Sequence, residues 1–397
     1  MDIIAERLKN IPPYLFMQLR NKIKKMAASG ADCISLSIGD PDKPTPAHII
    51  EALREAVLDP YNHQYPTDEQ KGMLAFREAV SRWYLRKYAV ALDPKSEVLA
   101  LGGAKEGIHS FMMAVVNPGD VVLITSPGYP GYRANILMAA GQPYEIPLLE
   151  ENGFLPDIDS IPDEICQKAK AFFLNYPNNP TGACANRSYF SRLVAWAKKR
   201  EIILVHDNPY SEIVFPGCEK LSLLEISGAK DICVEFNSLS KYYNMTGWRI
   251  GMAVGNEEII SAMCKFKESV TSGVFNAIQL ASIKAMDEGD QVIQDTLDVY
   301  RRRREMALEA LDQMGISVSP GMGTFYLWVP VPNGQSSMEF TERLLDDACV
   351  LVTAGTAYGQ YGEGYFRLSL TLPDDRLREA LERIKRSIGN DRPATAG

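Results

Sequence analysis

One stretch, Ser238-Leu239-Ser240-Lys241-Tyr242-Tyr243-Asn244-Met245-Thr246-Gly247-Trp248-Arg249, brings an amine, two serine hydroxyls and a guanidinium together within twelve residues. It follows the apolar run Ile232-Cys233-Val234-Glu235-Phe236, which reads as a buried strand. A lysine beside a second cation is disfavoured as an ammonium, so more free amine is available. A free amine condenses with an aldehyde, the first requirement of pyridoxal phosphate (PLP) chemistry. Ser238, Ser240 and Arg249 are suited to holding a phosphate dianion near Lys241, the arginine as a planar two-pronged donor. The competing interpretation is an exposed loop with a chance Lys and Arg, because a lone lysine is most often a surface residue.

Three other apolar runs end in residues of matching chemistry. Val121–Ile124 leads to Ser126-Pro127-Gly128-Tyr129, Ala171–Leu174 to Asn175-Tyr176-Pro177-Asn178-Asn179, and Ile202–Val205 to His206-Asp207-Asn208-Pro209-Tyr210. Ligands of open parallel sheets bind beyond the carboxyl ends of the strands. An amine, a carboxylate, an amide, a phenol and a stacking ring are therefore expected on one rim. Asp207 is expected at the pyridine nitrogen, keeping it protonated so that the ring can accept electrons. Tyr210 and Asn179 would meet the ring oxygen O3′, and Tyr129 would lie against the ring plane. Gly103-Ala104-Lys105, with a helix expected over 108–116, would offer free N–H groups to the phosphate. Taken one at a time, each residue is equally a turn former or a cap; the joint pattern points to chemistry. His206, next to Asp207, is expected as a satisfied core histidine or a hydrogen-bond partner rather than a base.

Positioning these groups requires strands that alternate with helices. Apolar strands at 98–101, 121–124, 144–146, 171–174, 202–205, 232–236 and 250–254 predict an α/β fold with a mostly parallel sheet covered by helices. Helices are expected over 46–58, 72–90, 187–200, 256–286 and 290–314. Beyond them a smaller α+β unit is expected, with a hairpin of 317–319 against 324–329 and helices at 336–347 and 374–388. Strands at 350–352 and 365–370 complete it. A short strand, 34–38, ends in the turn Gly39-Asp40-Pro41-Asp42. The implied organisation is an arm over 1–44 joining the small domain, a large domain over 45–288 and a small domain over 289–397, since 397 residues exceed what one core usually serves.

Composition narrows the function. A net charge of -8 disfavours nucleic acid and anionic membranes as partners, and no eighteen-residue apolar span exists. The four histidines, at 48, 63, 109 and 206, lack metal-ligand spacing, so no metal is expected. Seven cysteines, an odd number without a C-x-x-C pair, lead us to expect buried free thiols and a cytoplasmic protein.

Asn179-Pro180-Thr181-Gly182, Asp207-x-x-Tyr210, Ser238-x-Ser240-Lys241, Gly247-x-Arg249 and the C-terminal Arg367 stand in the order found in the class I/II, fold-type-I, PLP-dependent aminotransferases, which the whole chain resembles. The resemblance implies a seven-stranded large domain binding PLP, a smaller α+β domain, and Arg367 paired with the substrate α-carboxylate. A narrower resemblance rests on Pro12-Pro13-Tyr14-Leu15-Phe16, Ile38-Gly39-Asp40-Pro41-Asp42, Asn62-His63-Gln64-Tyr65-Pro66, Lys105-Glu106-Gly107, Gly128-Tyr129-Pro130 and Ser272-Gly273-Val274-Phe275-Asn276-Ala277. These are similar to the LL-diaminopimelate aminotransferases, which exchange an amino group between LL-2,6-diaminopimelate and 2-oxoglutarate on the route to lysine. That likeness implies substrate contacts from Tyr14, Gly39, Lys105, Tyr129, Asn179, Asn276 and Arg367. It also implies a homodimer in which Tyr65 reaches the partner's cofactor phosphate. Two departures stand out: Ala104 precedes Lys105 where many relatives carry Ser, and the loop after Tyr65 is longer and more acidic. Aspartate, alanine and aromatic amino acids stay open as substrates. So does a PLP-dependent C–S β-lyase, because Lys241 and Asp207 would serve either chemistry; a PLP-fold regulator, expected to carry a DNA-binding module as well, is disfavoured.

LL-diaminopimelate carries a distal ammonium that glutamate lacks, and the acidic pair Asp68 and Glu69 could meet it across the dimer. Capping of the next helix is the competing role for the pair. Replacing them together, Asp68→Asn with Glu69→Gln, should lower kcat/KM for LL-diaminopimelate by about 1.5–3 kcal/mol, the worth of a charged hydrogen bond. Glutamate should be nearly unaffected; an equal effect on both substrates would return the pair to solvent.

Overall fold

The computed structural model describes residues 3–11, 15–66, 70–319 and 321–389. Its first strand, Ile34–Ser35 (β1), stands apart from a sheet built from the next seven. These are Val98–Leu101 (β2), Val121–Ser126 (β3), Gln142–Pro147 (β4), Ala169–Leu174 (β5), Ile203–Asp207 (β6), Cys233–Ser238 (β7) and Gly251–Gly255 (β8). Their order across the sheet is β2-β8-β7-β6-β5-β3-β4. Only β8 runs against its neighbours; every other pairing is parallel. The apolar runs face both ways. Leu99, Val122, Phe173, Val205, Val234 and Ala253 join the apolar cluster on one face, while Val98, Leu123, Phe172, Leu204, Cys233 and Met252 join the cluster on the other. Burying each large apolar side chain contributes roughly 1.5–3 kcal/mol, which is why the central strands are mostly apolar; Glu235, buried within β7, is satisfied by Tyr84, His206 and Ser222. The order reverses between β5 and β3, the switch point at which an α/β sheet opens a crevice for ligands.

The C-terminal part forms a three-stranded antiparallel sheet, Thr353–Ala354 (β11) beside Tyr365–Ser369 (β12) beside Tyr326–Pro330 (β9). Val350–Leu351 (β10) pairs in parallel with β1. Three backbone bonds tie the N-terminal segment to this part: Ile34 N–H to Cys349 O at 2.8 Å, Leu36 N–H to Leu351 O at 2.7 Å and Ser369 N–H to Leu36 O at 2.8 Å. Among the described residues no helix is long and apolar enough to cross a membrane.

Four expectations are corrected. No hairpin forms from 317–319, because the glycine turn beside it is taken elsewhere: Gly323 N–H donates to Gly182 O at 2.9 Å, Gly323 bridges Val214, and β9 pairs with β12. The strand expected over 34–38 is only two residues long, and Leu36 and Ser37 bond instead to Leu351, Ser369 and the Arg367 guanidinium. The helix expected over 108–116 is Ala104–Val115. Its N-cap, Gly103, has φ +94°, a conformation open to glycine, so the glycine turn feeds straight into the helix. Finally, the cysteines are not all free. Cys184 and Cys218, 34 residues apart, are joined as a disulfide because the loop after Asn179 folds against the segment after Tyr210, bringing their Cα atoms to 6.1 Å. Cys33, Cys166, Cys233, Cys264 and Cys349 are free thiols.

One buried cation holds the turn Gly39–Asp42 in place. Arg303, in the helix Asp290–Gln313, is fully buried and donates to both oxygens of Asp42 at 2.7 and 2.8 Å. It also donates to Asp374 at 2.8 Å and to Leu370 O at 3.0 Å. Burial works against the charge on Asp42, but the Arg303 guanidinium outweighs it and holds that carboxyl below its ordinary value. Arg302 and Arg303 together pull Asp374 down to about 2. Both carboxylates thus stabilise the fold above their unfolded pKa near 4 and lose that contribution as pH falls. Arg303→Met leaves Asp42 without its cation and Asp374 with Arg302 alone, and should cost about 3–5 kcal/mol at pH 7. Urea denaturation should show this gap narrowing below about pH 5, as the unpaired Asp42 carboxylate takes up a proton. A gap that stays constant down to pH 3 would mean that the loss is one of packing.

Candidate active site

The strand ends at the switch point open into a cavity of about 600 Å³. Its walls carry Gly39, Ala104, Lys105, Tyr129, Asn179, Asp207, Tyr210, Ser238, Ser240, Lys241, Arg249 and Arg367. Twelve of the residues singled out from the sequence, drawn from more than 300 positions of chain, therefore line one space.

At the end of β6 lies Asp207, 5% exposed. Its Oδ2 accepts from the Tyr132 hydroxyl at 2.7 Å, whereas its Oδ1 is buried without a hydrogen-bond partner. Burial lifts its pKa to about 6 against the opposing pull of Tyr132 and His206. Asn175 aligns this strand end with its neighbour: its amide donates to Asp207 O at 2.6 Å and its Oδ1 accepts from Asn179 N–H at 2.7 Å. His206 is buried, with Nδ1 2.8 Å from Glu235 and Nε2 3.0 Å from Tyr176 O, so it serves the core and not the cavity.

Lys241 enters from the loop after β7, and its Nζ donates to Gly39 O at 2.7 Å. Its pKa is lowered, first by burial and then by Arg367 and Arg249, against Tyr326 and Asp40. The direction is the one expected from a neighbouring cation, but loss of water is the larger cause. Beside it, Ser238 Oγ donates to Ser240 Oγ at 2.9 Å. Arg249 donates to Thr246 O at 3.0 Å and to Gly102 O at 3.1 Å. A Cβ on Gly103 would stand 2.4 Å from Arg249 Nη2, so glycine is what lets the guanidinium close on the turn. Free N–H groups at the start of Ala104–Val115, two hydroxyls and a guanidinium make this end of the cavity an anion cradle.

Arg367, in β12, is 3% exposed. It donates to Asn179 Oδ1 at 2.7 Å and to Ser37 O, and stacks 3.9 Å over the Tyr326 ring. Asn179 thus spends its carbonyl on Arg367 and keeps its NH2 for the cavity. The Tyr210 and Tyr326 hydroxyls lie 3.2 Å apart, and burial pushes the Tyr210 phenol well up. Sequence reasoning missed Tyr132, Tyr326 and Ser37. The aromatic pair Phe325-Tyr326, one residue after the Gly321-Met322-Gly323 turn, was the available signal for the second. Tyr132 sits on a helical turn with nothing local to mark it.

Tyr65 and Asn276 do not line the cavity. Tyr65 lies on the outer surface, near where Pro66 packs at Gly273 and the His63 ring is 6.0 Å from Phe275, whereas Asn276 is half-buried with its Oδ1 buried and unpartnered. Tyr14, Asp68 and Glu69 lie outside the described residues.

The site's polar groups fit a flat cofactor with a protonated ring nitrogen at one end and an anion at the other, since Asp207 Oδ1 has no partner and Ala104, Ser238, Ser240 and Arg249 line the same cavity. Residues 31–384 match the family model for aminotransferase class I and II. The chain belongs to this family, and the protein is an aminotransferase. It is 50% identical over 382 residues to the LL-diaminopimelate aminotransferase of Aquifex aeolicus, covering 96% of this chain and 98% of that protein. It is 47% identical to the LL-diaminopimelate aminotransferase of Desulforudis audaxviator, covering 97% and 98%. Among solved structures, substrate-bound BacF from Bacillus subtilis superposes with a TM-score of 0.93 at 38% identity, over 97% of this chain and 98% of that one. A Thermus thermophilus aspartate aminotransferase mutant gives 0.91 at 29% identity, over 98% and 100%.

A carboxyl with a raised pKa favours the fold when protonated, so its contribution is present below its unfolded pKa and lost as pH rises through about 6. In the ligand-free protein, Asp207→Asn should therefore be more stable than wild type at pH 8, by on the order of 3 kcal/mol. The two should converge at pH 4. Thermal or urea unfolding across that range checks the sign, and a mutant less stable at pH 8 would contradict it.

Proposed function

We propose that this aminotransferase uses PLP to move an amino group between LL-2,6-diaminopimelate and 2-oxoglutarate. The observation that carries the proposal is Asp207 Oδ1, buried and unpartnered on the floor of the cavity into which Lys241 also projects. PLP, when bound, supplies an electron sink that labilises bonds at an amino acid's α-carbon. Asp207 would hold the proton of the ring nitrogen, and its pKa, raised by burial, would be drawn back down by that positive charge. Lys241, with its lowered pKa, would take the α-proton as a free amine and return it as an ammonium. Ser238, Ser240, Arg249 and the Ala104 end of its helix would hold the phosphate. Tyr210 and the free NH2 of Asn179 would hold the ring oxygen, and Tyr129 the ring face. Arg367, fixed by Asn179, Ser37 and the Tyr326 ring, would receive the substrate α-carboxylate as a two-pronged pair. Tyr14, Gly39, Lys105 and Asp68 complete the proposed substrate contacts.

The substrate assignment rests on the relatives named above and on the chain's likeness to them. We further propose a homodimer in which Tyr65 and Asn276 complete the partner's site. Tyr61, Tyr65, Val270 and Phe275 are 76%, 78%, 57% and 40% exposed, an apolar surface in need of a cover. Residues 1–44 and 289–397 would form the small domain against a large domain of 45–288; the bonds of β1 and Ser37 to the C-terminal strands support that grouping. We place the enzyme in the cytoplasm, where its five free thiols would stay reduced; the Cys184–Cys218 bond is the feature at odds with that.

The test is a half-reaction screen of the PLP-loaded protein with single amino acids, followed by the absorbance change from the aldehyde to the amine form of the cofactor. LL-diaminopimelate and glutamate should convert it, and aspartate, alanine and tyrosine should do so poorly. Lys241→Ala should still bind PLP but turn over roughly 100- to 10,000-fold more slowly. Conversion by aspartate or tyrosine but not LL-diaminopimelate would overturn the substrate. Release of pyruvate and thiol from a cysteine conjugate without that conversion would overturn the reaction.

A further inference from the structure

Glu106 is the acidic residue in the first turn of the helix Ala104–Val115. One of its oxygens accepts from Gly102 N–H, fixing the glycine turn to the helix that it feeds. The same carboxylate sets a negative charge behind the cradle that, under the proposed function, receives a phosphate dianion. Like charges in a poorly solvated site repel, so this arrangement needs a compensating cation.

Lys267 supplies it from the neighbouring helix Glu257–Glu268. It is 1% exposed, and a lysine is almost never so buried unless paired. Its Nζ donates to the other oxygen of Glu106 at 2.7 Å and to Ala100 O at 2.9 Å, in the strand that runs into the turn. Gly102 is thereby held from both sides: its N–H by Glu106 and, through its carbonyl, by Arg249. Neither Glu106 nor Lys267 lines the cavity.

We infer that Lys267 is a positioning residue for the cofactor phosphate: it neutralises Glu106, so that a carboxylate can brace the glycine turn without repelling the dianion in front of it. This rests on the phosphate placement proposed above. Lys267 acts through charge at a distance, so its effect should track the phosphate and should depend on Glu106.

The experiment measures the dissociation constants of PLP and of pyridoxal, which lacks the phosphate, for wild type, Lys267→Met, Glu106→Gln and the double variant. Lys267→Met should weaken PLP by more than about tenfold, because it leaves the partly buried Glu106 carboxylate without its cation behind the dianion. Pyridoxal should change much less. Glu106→Gln should bind PLP as tightly as wild type or more tightly, and adding it to Lys267→Met should restore most of the lost affinity. If Lys267 only braces the fold, Lys267→Met and Glu106→Gln will weaken both ligands alike and the double variant will be no better; that result overturns the inference. Should Lys267→Met fail to fold, Glu106→Gln alone decides, since a loss of PLP affinity in it is incompatible with charge compensation. A wild-type protein that binds pyridoxal and PLP equally would remove the phosphate site itself, and this inference with it.

Discussion

Asp207 is stripped of water at the end of β6, with one oxygen satisfied by Tyr132 and the other by nothing on the described chain. Leaving a carboxylate so placed is costly, and burial raises its pKa accordingly. Neighbouring elements keep it there. The sheet puts Asn175 at the adjoining strand end to hold the Asp207 carbonyl, Glu235 ties up His206 so that the imidazole does not turn into the cavity, and the buried Tyr132 fixes the carboxylate's orientation. The unsatisfied oxygen is a reserved position, and the chemistry proposed here follows from what would fill it.

Around that position the chain brings together groups from distant segments through backbone and ion pairs. Gly39 has no side chain where a Cβ would stand 1.7 Å from the Tyr326 hydroxyl, and that absence lets its carbonyl reach Lys241. The strap that carries Gly39 is clamped by Arg303 through Asp42, and the next residues upstream hold Arg367 through the Ser37 carbonyl. The Lys241 amine and the Arg367 guanidinium are thus registered against the same short segment. A shift of that segment would move both.

Much of this was legible beforehand because the strands announce themselves. Runs such as Ala171–Leu174 and Ile202–Val205 can only be buried, and the residues that follow buried parallel strands have one rim to occupy. What could not be read follows from contacts with no local signature. The hairpin expected at 317–319 failed because Gly323 is bonded by Gly182, a partner about 140 positions away. The Cys184–Cys218 bond depends on two loops meeting, which spacing alone does not encode. Tyr326 and Tyr132 act through hydroxyls whose targets, Tyr210 and Asp207, lie on other elements. Tyr65 faces outward and Asn276 is half-buried away from the cavity, so the single chain gives neither the role expected of it from the sequence.

The central claim is that the free oxygen of Asp207 is kept for a protonated ring nitrogen. Nitrogen NMR of the protein loaded with PLP labelled at that atom tests it directly. At pH 8 the wild-type spectrum should show a protonated nitrogen, although a free pyridine would be neutral there, and Asp207→Ala should shift it to the neutral position. A neutral nitrogen in the wild-type protein, or one equally protonated in both proteins, would contradict the account.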